Sequence, residues 1–233
     1  MNQSLRVSAS PHVRDARSTT KVMLDVIIAL VPAGVVGVVA FGMQALVLIL
    51  AAVAACLLTE LICQKAVKRT VTISDLSAVV TGILIAYNMP HTAEWWQVVI
   101  VSAFSIAVCK QLFGGIGCNF VNPALIARVV AQISWPMLVS TFYLDGVSGA
   151  TPLTVMKGGA MPEQSILDMF LGTNMPGCIG EISALALLVG GVYLVVRGVI
   201  KINTPVAYVA TVAVFVAIYG ACTGRDVLNY TLA

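Results

Sequence analysis

Residues 22–41, VMLDVIIALVPAGVVGVVAF, are followed after only Gly42, Met43 and Gln44 by residues 45–62, ALVLILAAVAACLLTELI. A helix needs about 20 largely apolar residues to cross the hydrocarbon of a bilayer, and both runs meet that length. They predict a tight helical hairpin in a membrane. The composition agrees: of 233 residues, 59% are hydrophobic and 10% charged, with a mean hydropathy of +0.98, against roughly 25% charged residues in soluble domains. The net charge of +3 is small and spread over loops, which argues against a nucleic-acid surface.

Further apolar runs follow at residues 76–87, 95–113, 124–144, 182–200 and 205–222. The first of these has 12 residues and ends at Asn88-Met89-Pro90, which predicts a short or broken helix. The run at 95–113 enters with Trp95 and Trp96, indoles that favour the headgroup level. Between it and the next run lies Gly114-Gly115-Ile116-Gly117-Cys118-Asn119-Phe120-Val121-Asn122-Pro123, a predicted helix break. Irregular backbone survives at membrane depth only where it is buried in protein or lines a polar cavity.

The opening segment holds Arg6, His12, Arg14, Asp15 and Arg17 with no apolar run, so it does not read as a secretory signal peptide. Insertion is expected to be directed by the first helix. Arg6, Arg14, Arg17 and Lys21 precede the first span, Lys65, Lys68 and Arg69 follow the second, and Arg197 and Lys201 close the sixth. The positive-inside rule assigns these segments to the cytoplasm. Counting residues 76–87 as a crossing, residues 90–94 and 145–180 fall outside, and Thr151 is extracytoplasmic.

Asp25 and Glu60 stand inside the first two spans, where a charge is costly, and are candidates for ion or proton handling. Salt bridging to another helix or snorkelling to the interface is the competing reading. Arg128 can pair with an acid or steady an anionic ligand; Lys157, Glu163 and Asp168 read as solvated loop residues. Cys56, Cys63, Cys109, Cys118, Cys178 and Cys222 contain no C-x-x-C pair and read mostly as small packing residues, with no metal site expected.

Three blocks carry a family resemblance. Ser10-Pro11-His12-Val13-Arg14 with Met23-Leu24-Asp25-Val26-Ile27-Ile28-Ala29-Leu30-Val31-Pro32-Ala33 is the first. Gly114-Gly115-x-Gly117-x-Asn119-Phe120-x-Asn122-Pro123-Ala124 is the second, and Asp145-Gly146-Val147-Ser148-Gly149-Ala150-Thr151 the third. In order and spacing they resemble the RnfD/NqrB family, on the side of the Rnf member, whose N-terminus they match. The resemblance implies an all-α integral membrane protein with a broken helix and a urea-transporter-like pair of inverted repeats, each of about five helices. It divides the chain into a cytoplasmic segment 1–21, a first repeat 22–144, an extracytoplasmic loop 145–180 and, at 181–233, the start of a second repeat.

The resemblance also implies a function. Such a chain is an electron-carrying subunit of an ion-translocating oxidoreductase in a bacterial or archaeal cytoplasmic membrane. It relays electrons between ferredoxin and NAD+ while Na+ or H+ is moved. The heptad resembles the site where an exported flavin transferase esterifies FMN through its phosphate to the terminal threonine, here Thr151, with Asp145, Ser148, Gly149 and Ala150 presenting it. An unassisted threonine hydroxyl is a weak nucleophile, so the segment reads as that enzyme's substrate; an ordinary surface turn is the alternative. By resemblance Asn119 and Asn122 contribute to a second, noncovalent riboflavin, whose polar edge a carboxamide can both donate to and accept from; helix capping and breaking is the competing role. No catalytic residues are expected in this chain, and no dinucleotide-binding glycine fingerprint follows a strand. Substrate chemistry falls to partner iron–sulfur and flavin subunits. A channel or transporter for a small neutral solute, or a purely structural anchor, are the rival readings.

Overall fold

A computed structural model describes residues 18–140, 142–144, 147–149, 151, 155, 165–172 and 175–223. Helix α1, Thr19–Phe41, starts where the Ser18 hydroxyl accepts from the Lys21 amide at 3.3 Å, satisfying one of the amides that a helix start leaves open. It ends at Gly42, whose φ of +72° is open to glycine, and the same residue leads into α2, Met43–Ala66. One residue thus makes the predicted hairpin. Outward, Val31, Val35 and Val39 on α1 and Leu50, Leu58 and Ile62 on α2 are exposed, an apolar surface suited to lipid.

Inward, small residues dominate. Ala45, Leu48, Ala52, Ala55 and Cys56 form the buried stripe of α2, against which α3, Ser77–Tyr87, packs. A Cβ at Gly82 of α3 would stand 2.7 Å from the Val53 Cα, so the backbones meet at a glycine-only distance. Close approach of this kind is how membrane helices gain dispersion energy when lipid is as apolar as their side chains. With 11 residues α3 is about 16 Å long at 1.5 Å per residue, well short of the hydrocarbon thickness. The expected short helix is present.

Helix α4, Trp95–Phe104, begins with a capping box between Glu94 and Gln97 and continues without interruption as a π turn, Ser105–Gln111. Residues 112–122 contain no helix. Gly114, Gly115 and Gly117 have φ of +119°, +97° and +84°, and this backbone need, rather than crowding, explains Gly115 and Gly117, because a Cβ there would meet nothing. The chain then re-enters a helix at Asn122, which caps α5, Pro123–Ser134, with Pro123 in the first turn.

The apolar run at 124–144 is not one span. Pro136 has no amide to continue the ladder and disfavours helical backbone at Trp135, whose φ and ψ are −136° and 67°. The run divides into α5, a short α6, Pro136–Ser140, and strand β1, Phe142–Leu144, which pairs antiparallel with β2, Val147–Gly149. This small ladder qualifies the all-α expectation; the membrane-embedded part remains helical.

After α7, Ile166–Leu171, residues 175–183 return into the helical layer. The Ile179 amide donates to the Met89 carbonyl and the Gly180 amide to that of Tyr87, both at 3.1 Å, and Cys178 and Ile179 are buried. This part of the expected loop 145–180 is therefore packed against the helices. Helix α8, Ala184–Val196, lies along α1, with Gly190 in close contact with the Ala29 carbonyl. Helix α9, Asn203–Thr223, is exposed along nearly its whole length. Three helices among the described residues, α1, α2 and α9, are long and apolar enough to cross a membrane.

Candidate functional site

At the end of α2 near residue 66, four elements bring polar side chains into an otherwise apolar interior. Glu60 and Lys110 are 1% and 2% exposed, and the Lys110 Nζ lies 2.8 Å from Glu60 Oε1 and 3.0 Å from Oε2. Gln111 Nε2 donates to Glu60 Oε1 at 2.7 Å and Gln64 Nε2 at 3.3 Å, so the carboxylate is surrounded by donors. Taking two charges out of water costs several kcal/mol per ion, and only pairing this complete offsets it. Gln64 continues the network outward, accepting from the Thr72 amide at 3.0 Å and donating to the Thr72 hydroxyl at 2.9 Å.

On its other side Lys110 donates to the Ser77 hydroxyl at 2.6 Å. That hydroxyl donates in turn to Asp75 Oδ1 at 2.7 Å, and the same oxygen accepts from the Ser77 amide at 2.9 Å. Asp75 thereby holds the start of α3 although Leu76 sits in the left-handed region at φ +62°, an uncommon place for a branched residue. The π turn matters here. Its wider ladder, with the Leu112 amide bonded to the Ala107 carbonyl at 3.1 Å, sets the face on which Lys110 and Gln111 point inward; π turns concentrate at functional sites.

Lys110 and Ser77 also line an open pocket of about 560 Å³, together with Met23, Thr81 and the irregular segment from Ile116 to Pro123. Asn119 and Asn122 both line it. Their roles differ. Asn122 Oδ1 accepts from the Ala124 amide at 2.9 Å and caps α5, so its Nδ2 is the part left to face a ligand, whereas the Asn119 side chain makes no such helix-capping bond. The two readings of Asn122 are compatible: a cap can also face a cavity.

Asp25 lies apart from this network. Its Oδ1 accepts from the Tyr193 hydroxyl at 3.0 Å and from Arg197 Nε at 3.1 Å, joining α1 to α8. Asp25 and Glu60 are therefore both salt-bridged to other helices, one to an exposed arginine and one to a buried lysine. Arg128 has no acid partner among the described residues: it donates to the Asn88 carbonyl and lies 3.0 Å from Cys178 Sγ, clamping residues 88–90 to 178. Burial pushes the Cys178 thiol, in the segment between α7 and α8, up to about 11 even with this guanidinium beside it, so it stays a neutral thiol.

In the heptad, Val147, Ser148 and Gly149 form β2, with Ser148 opposite Tyr143 and Gly149 opposite Phe142. Thr151 is half-buried and its carbonyl accepts from the Val155 amide at 3.0 Å. Asp145, Gly146 and Ala150 lie outside the described residues, as do Lys157 and Glu163. Asp168, read as a solvated residue, completes the capping box of α7 with Ser165.

The residue that sequence reading missed is Lys110. It stands in the 95–113 run, three residues from its end, and an ionisable group inside a span is a site candidate by default. Ser77 and Gln64 carried no comparable signal.

The helical hairpin, the glycine-rich break and the polar cluster beside it occur in a chain with clear relatives. Residues 6–232 match the model of the NQR2, RnfD, RnfE family. The chain is 48% identical over 229 residues to the D subunit of the Na(+)-translocating ferredoxin:NAD(+) oxidoreductase complex of Acetobacterium woodii, covering 94% of this chain and 71% of that one. It is 36% identical to the D subunit of the proton-translocating ferredoxin:NAD(+) oxidoreductase complex of Clostridium ljungdahlii, covering 94% of this chain and 70% of that one. With the D subunit of the ion-translocating oxidoreductase complex of Cronobacter sakazakii it shares 32% identity, over 90% and 72% of the two chains. The chain is a membrane protein and belongs to the NQR2, RnfD, RnfE family.

Proposed function

We propose that this chain is the electron-carrying membrane subunit of an Rnf-type ferredoxin:NAD+ oxidoreductase complex in a prokaryotic cytoplasmic membrane, with FMN esterified to Thr151 and riboflavin held noncovalently in the cavity beside Lys110. The names of its relatives support the complex, and the other Rnf subunits are its partners. The heptad supports Thr151 as the acceptor of a flavin transferase. For the second flavin the supporting observation is the cavity itself.

The cavity suits such a ring. Its volume of about 560 Å³ lies within the roughly 300–1,000 Å³ of small-molecule sites. Val80, Val121 and Met23 offer apolar contact, while Thr81, Asn119, Asn122 and Lys110 offer a few polar groups. Asn119 would donate to and accept from the polar edge of the ring, Asn122 would donate from Nδ2, and the backbone around Gly117 would lie along the ring. A bound flavin supplies one- or two-electron transfer, to which the protein adds placement and electrostatics. Glu60 and Asp25 are the chain's candidates for the coupling of ion movement, with the inverted repeat as the frame around them.

In-gel ultraviolet fluorescence after coexpression with the transferase tests the covalent site. The wild-type band is expected to fluoresce and the Thr151→Ala band to be dark. A fluorescent Thr151→Ala band, or a dark wild-type band, overturns the assignment.

A further inference from the structure

We infer that Lys110 is the resident cation of the cavity and is shared with Glu60, so that the two residues set the reduction potential of a redox ring bound there in opposite directions. The inference rests on the flavin reading of the cavity and deepens it by assigning the residues that tune the site. Neither residue was expected to act on a cofactor.

The geometry carries it. Lys110 is the one charged side chain among the described residues that line the cavity, and it is 2% exposed. Its ammonium has three donor hydrogens. Glu60, at 2.8 Å, and Ser77, at 2.6 Å, engage two directions, and both Lys110 and Ser77 border the cavity. Seen from the cavity, the pair is a dipole with its positive end forward and its negative end behind, in α2. A ring that gains an electron gains negative charge, which a nearby ammonium favours and a nearby carboxylate opposes. Glu60 is held by Gln64 and Gln111 as well as by Lys110, so it keeps two side-chain donors when Lys110 is drawn towards the cavity.

Opposite signs follow for two changes that nearly conserve shape. Glu60→Gln removes the opposing carboxylate and leaves the ammonium, so reduction becomes easier. Lys110→Gln removes the ammonium, so reduction becomes harder. Lys110→Arg keeps the charge and is expected to stay near wild type. A residue that served packing alone would move both variants the same way or neither.

The test is a redox titration of the acid-releasable riboflavin, separated from FMN by chromatography, in the purified whole complex, with riboflavin content measured alongside. At a fixed applied potential, Lys110→Gln is expected to raise the oxidised-to-reduced ratio about tenfold, equivalent to roughly 30 mV for a two-electron couple, and Glu60→Gln to lower it. Should Lys110→Gln fail to assemble, the comparison of Glu60→Gln with Glu60→Gln/Lys110→Gln isolates the ammonium, and the double variant is expected to be the harder to reduce. Wild-type flavin content with unmoved potentials, or shifts of the same sign, overturns the role of Lys110. Absence of releasable riboflavin from the wild-type complex overturns the flavin reading of the cavity itself.

Discussion

Among the described residues two ion pairs join helices, and they differ chiefly in burial. In Glu60–Lys110 the side chains are 1% and 2% exposed; in Asp25–Arg197 they are 13% and 55% exposed. The interior pair is enclosed by Gln64, Gln111 and Ser77 and borders a cavity, whereas the edge pair is supplemented by Tyr193 and opens outward. From the sequence both acids look alike, as a carboxylate inside an apolar run. What separates them is the surroundings: at the edge only the aspartate is enclosed and its arginine is exposed, whereas in the interior both partners are enclosed.

The comparison is easiest to break by removing one charge at a time. Glu60→Ala or Lys110→Ala leaves its partner charged and buried, which costs about 3–5 kcal/mol; thermal unfolding in detergent should show a large fall, with much of it recovered in Glu60→Gln/Lys110→Gln. Asp25→Ala, which leaves an exposed arginine, should leave the transition close to that of wild type, and Arg197→Ala should lower it less than Lys110→Ala. Equal losses from Asp25→Ala and Glu60→Ala would remove the distinction.

Smaller effects sharpen the picture of the cavity wall. Gly117→Ala places a side chain at φ +84° in open space, so its cost is backbone strain alone, about 1–3 kcal/mol, with a loss of releasable riboflavin. Asn122→Ala removes a helix cap worth about 1 kcal/mol and also lowers releasable flavin. Asn119→Ala should lower the flavin without a measurable change in unfolding. If the two asparagine variants lost stability equally, the division between cap and ligand contact would fail.

Much of the fold was legible because lipid imposes a simple rule on sequence. The hairpin at Gly42 and the short α3 ending before Pro90 follow from run length and punctuation. The run at 124–144 misled because its apolar content continues across Pro136, where backbone geometry, not hydropathy, ends the helix. The return of residues 175–183 to the helical layer was hidden by their glycines and proline, which read as loop while Cys178 and Ile179 are buried. The site was legible in part. Asn119 and Asn122 stood out by their spacing with glycine and proline. Ser77 and Gln64 depend on a three-dimensional meeting that no local pattern encodes, and the π turn that directs Lys110 inward has no sequence signature.

The most direct test of the two-flavin relay is a flavin inventory of the purified complex after acid treatment, separating what is released from what stays on this chain. Flavin is expected in both fractions. Thr151→Ala should empty only the bound fraction and Asn119→Ala should deplete only the released one. Bound flavin that survives Thr151→Ala, or a released fraction unchanged by Asn119→Ala, would contradict the relay.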